Sequence, residues 1–384
     1  MHNSSLGANS MLGSKTAAQY ISFMQELRSI TQQGTQQAVK DYANEDSLVS
    51  YVLTMARDCE ATDHRDKLFA FHHLVRLWNR PDYGMDIELL YKLFAVQYLQ
   101  RIAYAISEFS CDEQKLFKRQ LEFVYSAGLC NQRLNLPSWT PDWSVPWQAR
   151  PLWLDAKCYS AGGSDIEELA PVKEVDVNGE HQFRLPVSAK LFDRVLAAGS
   201  EALRLSSRGS QELPEALRAW LFKSKSILHV NRNRPRPYDD ENAAFARTIT
   251  AEQDQDGNKL TIEDSTSRYE TLLEFLRQAD DDAPRPSNAH LHDRLYYSVA
   301  SFLRGRVFFL TEKGYFGLAQ EGVAWGDRIA VVRGAPVPFV FRPGLSTGVH
   351  SQEYRTLCEC FVLAIMDGEA WADDSIPKET VVLV

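Results

Sequence analysis

"RVFFLTEKGYFGLA", residues 306–319, is where the hydrophobic pattern changes from a helical period to a period of two. Apolar and aromatic residues flank a short Glu-Lys-Gly turn, which predicts two antiparallel strands. Outward toward the C-terminus the same pattern continues. "WGDRIAVV" (325–332) offers a Gly-Asp turn before another strand, and "PVPFVFRP" (336–343) and "YRTLCECFVLAIM" (354–366) supply further runs. At least four to five antiparallel strands with this much apolar surface predict a small closed or nearly closed β-barrel, since closure removes exposed edges.

Outward in the other direction the chain reads mostly as helix. Periodic stretches at about 288–304, 240–254 and 213–226 are separated by the polar connection "NRNRPRPYDD" (231–240) and the loop "QADDDAPRPSN" (278–288). "HQFRLPVSAKLFDRVLAAG" (181–199) predicts short strands inserted at about 170–200. Asp86 is placed to cap a long helix reaching about Phe109, whose stripe of Ile87, Leu90, Phe94, Tyr98 and Ile102 recurs every three or four residues. A shorter helix from about Asp112 is expected to stop at Gly128 in a left-handed cap. Asp63 and Asp66 stand three apart, as N-cap and capping-box acid. The expected fold class is therefore α+β. A flexible lead (1–13) precedes a mainly helical body (14–305, with the small β insert), and a C-terminal antiparallel module (306–384) follows.

Five phrases within this frame occur in an order that resembles a known family. They are "ATDHRDKLFAF" (61–71), "PDYGMDIELLYKLFA" (81–95), "LPSWTPDWS" (136–144), "AFARTITAEQ" (244–253) and the run from "RVFFLTEKGYFGLAQ" (306–320) to "YRTLCECFVLAIMDGE" (354–369). The series is similar to the body that follows the effector domain in fungal heterokaryon-incompatibility (HET) proteins, and it covers roughly residues 48–384. The tyrosine–tryptophan–glycine and tryptophan–isoleucine–aspartate phrases of that effector domain have no counterpart. The resemblance therefore implies a stand-alone relative of the C-terminal body, without the family's cell-death module.

Composition excludes several functions. The net charge of −9 gives no general reason to expect nucleic acid as a partner, and no apolar run reaches the roughly 18 residues of a membrane span. Six scattered cysteines and a polar N-terminus predict free thiols and a cytoplasmic protein. Walker, GxGxxG and HExxH patterns are missing, so neither cofactor nor metal is expected. Cys358 and Cys360 share one face of a strand, without the second Cys/His pair that zinc requires. "GLSTG" (344–348) matches a nucleophile elbow at Ser346 in letters only, because a loop and a strand follow it, not a helix. "HRDK" (64–67) reads as local capping and pairing, and the Arg/Pro stretch at 232–237 as a solvated linker.

What remains is aromatic. Trp139 and Trp143 sit in a proline-locked segment that no regular helix can cross, extended by Trp147. They brace the junction between helices and strands, or, if that junction is hollow, wall an apolar pocket together with Tyr83 and Tyr91. His73 and Tyr297 are the candidate proton or hydrogen-bond donors for such a pocket. Two functions follow. One is a motif-free cyclase of fungal secondary metabolism, folding an apolar terpenoid or polyketide for a Diels-Alder-type cycloaddition, where orientation supplies most of the barrier lowering. The alternative is a non-enzymatic incompatibility or regulatory protein that binds a partner, such as a HET-family protein.

Overall fold

The computed structural model describes residues 53–54, 56–72, 81–108, 124–149, 151–152, 158–163, 170–177, 180–204, 213–254, 257–278, 299–300, 302–344 and 353–384. The expected flexible lead, Cys111, the acidic run at 280–282 and most of "GLSTG" lie outside these residues. Eight strands form one sheet: β1 (Lys173–Val177), β2 (Glu180–Ala198), β3 (Arg306–Thr311), β4 (Phe316–Gln320), β5 (Arg328–Val332), β6 (Phe339–Pro343), β7 (Glu353–Val362) and β8 (Lys378–Leu383). The predicted hairpin is β3–β4. Its turn is closed by Thr311 N–H donating to Tyr315 O and by Gly314 at φ 92°.

The pairing path β2-β3-β4-β7-β6-β5 returns to β2 and closes a ring, with β8 laid between β2 and β7. β2 makes closure possible. It is 19 residues long and pairs with β1, β8, β5 and β3 in turn, bending at register shifts near Leu191/Asp193 and Val195/Ala197. The 170–200 region is thus one wall of the ring, not an insert in a helical body. The sheet spans both sides of the boundary expected at 305/306. The described part of 14–305 mixes helix and strand, so a mainly helical body is not what it presents.

The helices that accompany the ring among the described residues include α1 (Asp66–Phe69), α2 (Ile87–Glu108), α3 (Leu213–Val230), α4 (Glu241–Ile249), α5 (Ile262–Gln278) and α6 (Glu369–Ala372). Asp86 caps α2 as expected, its carboxylate accepting from Glu88 N and Leu89 N at 3.0 and 3.1 Å. Asp240 does the same for α4. Asp63 does not cap: the N-cap of α1 is Arg65, and the Asp63 carboxylate is taken up by the Arg65 backbone and guanidinium. Gly128 follows helical residues but at φ 126° and ψ 149°, a conformation open to glycine yet distinct from a left-handed cap. α5 was not anticipated, although Thr261 and Asp264 at its start exchange the bonds of a capping box. Nor is the Arg/Pro connection simply solvated. The Arg236 side chain is only 4% exposed and lies over the Phe316 ring, and Pro235 O abuts Gly314.

Period two sorts the strand residues into separate cores. Phe309, Ile329, Val331, Val340, Cys358, Cys360 and Val362 pack together inside the ring. The alternate residues Phe308, Leu310, Phe316, Leu318 and Phe361 face α3, α4 and α5. Ala330, Val332, Phe339 and Phe341 face α2 and the proline-locked segment. Cys358 and Cys360 do share a face, and burial pushes both thiols up from their ordinary range.

Candidate functional site

The proline-locked segment is fixed by its own side chains. Asp142 accepts from Arg133 N and Leu134 N through one oxygen and from Ser144 N and Oγ through the other, so a single carboxylate folds residues 133–144 into a compact loop. Ser138 then ties the loop to the sheet. Its N–H and hydroxyl both donate to Val384 O, and its oxygen accepts from Thr356 N at 2.9 Å. From the other side comes Arg57, 1% exposed. It donates to the carbonyls of Val145, Ser126, Asn131 and Asp142 and lies 4.2 Å from the Trp147 ring centroid. Burial draws its pKa down to about 10, partly offset by Asp142 and Asp58, so the guanidinium stays charged at neutral pH.

Trp139 and Trp143 point into this packing at 0% and 2% exposure. Trp143 meets Tyr91 and Phe94 edge-on, at centroid distances of 5.0 and 5.4 Å, and the Trp139 indole N–H donates to Phe183 O at 3.3 Å. Tyr91 is fully buried and its hydroxyl donates to His64 O at 2.7 Å. Burial, reinforced by the Asp142 carboxylate, holds that phenol well above its usual range. Tyr91 and the two indoles are therefore brought into one core. Tyr83 is not: it is 53% exposed, edge-on to Phe69, and donates to Asp66 Oδ1 at 2.6 Å. Trp147 is half-buried and donates to Thr54 O. His73, Tyr297 and Ser346 lie outside the described residues.

A cleft opens beside the indole core. About 450 Å³ in volume, it is lined by Lys92 of α2, Gln132 and residues 134–138 of the loop, and His181–Arg184 of β2, together with Arg355 and Val384. Its walls mix Leu134, Leu136 and Phe183 with polar groups, and Arg184 is paired with Glu353 at 2.9 Å. Sequence reasoning missed the β2 contribution, because 181–199 was assigned away from the C-terminal strands. Its nineteen-residue length without glycine or asparagine was the available signal. Among the described residues no group of three His, Cys, Asp or Glu side chains converges as a metal would need. No described helix is long and apolar enough to cross a membrane.

Comparison with known proteins bears on the same elements. A family model, the Het-6 beta-barrel domain, matches residues 241–382, from α4 to the end of β8. "Heterokaryon incompatibility protein 6, OR allele" of Neurospora crassa is 22% identical over 350 residues, which cover 80% of this chain and 49% of that protein. The chain thus spans about half the length of the curated relative it matches. No solved structure matches. With the ring of strands and the five ordered phrases, these findings make residues 241–382 a match to the Het-6 beta-barrel domain and the chain similar, over most of its length, to a fungal heterokaryon-incompatibility protein.

Proposed function

We propose that the chain works as a binding body of a heterokaryon-incompatibility-type system, recognising a HET-family protein through its surface. The observation that carries this is the state of the indole core. Trp139 and Trp143, the residues best suited to wall an apolar chamber, are 0% and 2% exposed, and Trp143 meets Tyr91 and Phe94 edge-on. Large apolar side chains are left uncovered elsewhere: Phe222 and Val230 on α3 are 74% and 80% exposed. Co-expression of the tagged chain with a full-length HET-family protein tests the reading. Co-purification is expected, and Phe222→Asp is expected to abolish it without changing the melting temperature. Failure to capture any such protein, or capture indifferent to Phe222→Asp and Val230→Asp alike, overturns it.

A second reading has one observation in its favour. The cleft of about 450 Å³ between α2, the proline-locked loop and β2 falls within the ordinary size of a small-molecule site, which supports a cofactor-free cyclase as the second reading. Under this reading an apolar terpenoid or polyketide is oriented there for cycloaddition, and purified protein changes the rate or stereochemistry of ring closure. Unchanged product ratios with linear precursors of both classes count against it.

A further inference from the structure

β2 and β5 set Arg194 and Arg328 directly across from each other as Cα partners. Like charges in that relation destabilise an antiparallel pair. Neither guanidinium has an ion pair among the described residues, and Arg328 Nε is buried without a hydrogen-bond partner. Both line a cleft of about 390 Å³ with Leu191, Gly326, Pro343, Tyr354 and Glu379. The Tyr354 phenol is raised by burial and feels Arg328, Glu379 and Arg194, so the four polar groups share one field.

We propose that this cleft binds a small phosphate monoester bearing hydroxyl groups. Its phosphate sits between the paired arginines and its hydroxyls donate to Glu379. Two guanidiniums offer planar forks of donors matched to an oxyanion, and the bound charge would cancel the repulsion that the empty pair carries. Glu379, the one carboxylate among the lining residues, leaves the site net positive beside two cations and offers an acceptor for a ligand hydroxyl. The volume suits a small molecule. Trp325, 75% exposed and adjacent to Gly326 at the rim, provides an optical reporter.

The test is titration of the full chain with glucose 6-phosphate, inorganic phosphate and glucose, followed by calorimetry and tryptophan fluorescence. Saturable binding of glucose 6-phosphate is expected, with glucose silent. Arg194→Gln and Arg328→Gln should each weaken it by roughly 10-fold or more, the effect of losing a charged hydrogen bond, and should leave the melting temperature unchanged or raised. Glu379→Gln should weaken glucose 6-phosphate but not inorganic phosphate. Inorganic phosphate binding as tightly as the ester overturns the hydroxyl-bearing ligand. Absence of saturable binding by either phosphate, or arginine variants that bind normally or melt lower, overturns the site itself.

Discussion

Arg57 illustrates how one side chain decides a local fold. "LTMARDCEA" (53–61) gives no sign that its single arginine is buried, because four carbonyls from residues 126–145 complete the site and they lie far along the chain. A guanidinium fits that ring of acceptors because its five donors are held in one plane. Replacing it by methionine leaves buried carbonyls without a donor and removes the charge that faces Asp142. Arg57→Met is expected to cost about 3–5 kcal/mol in urea unfolding. Arg57→Lys should recover only part of this, since an ammonium cannot reach acceptors spread over a plane. A loss below about 1 kcal/mol for Arg57→Met would mean that Asp142 alone organises the loop.

Between elements, the corresponding tie is Arg306 of β3 with Glu359 of β7, 3.2 Å apart and exposed by 1% and 2%. Glu359 Oε1 also accepts from Leu152 N at 2.6 Å, so it joins the ring to the segment leading out of the proline-locked loop. Burial lowers the Arg306 pKa and the Glu359 charge opposes that shift. Glu359→Gln keeps an acceptor for Leu152 but strands a buried cation, at an expected cost of about 3–5 kcal/mol. Arg306→Met combined with Glu359→Gln should then be less destabilised than the sum of the single variants, with a coupling of about 1–3 kcal/mol in a double-mutant cycle. Additive single effects would show that the pair is not coupled. The strands themselves were legible in the sequence: β3, β4, β5 and β7 alternate or run apolar between glycine turns, and Cys358 and Cys360 fall on one face as period two requires. The helix caps were legible only where an acid precedes a long periodic stripe, as at Asp86. Asp63 carries the same signal, yet the chain turns after Phe69 and the neighbouring Arg65 takes the carboxylate instead.

For the whole molecule, the part least visible in sequence is the role of β2. Its apolar residues face different cores along its length: Val187 and Ala189 face the α2 side, while Phe192 and Val195 face the ring interior. No single alternation therefore marks it, and apart from β1 its partners β3, β5 and β8 are more than a hundred residues away. The cleft beside the indoles was hidden because its walls come from three separate elements, α2, the loop and β2. A consequence concerns the 241–382 segment that matches the Het-6 beta-barrel domain. That segment holds β3 to β8 but not β2, and without β2 the pairing edges of β3, β5 and β8 are bare. Nor does it contain Ser138, which fastens Val384 and Thr356. A fragment of residues 241–384 is expected to lack cooperative urea unfolding and a near-ultraviolet dichroism signal, and to aggregate through its open edges. Extending it to 170–384 restores β1 and β2 and should recover slow amide exchange in β5 and β8. A sharp, reversible transition in 241–384 alone would mean that six strands close without the nineteen-residue wall, and that the ring is a property of the C-terminal segment and not of the chain.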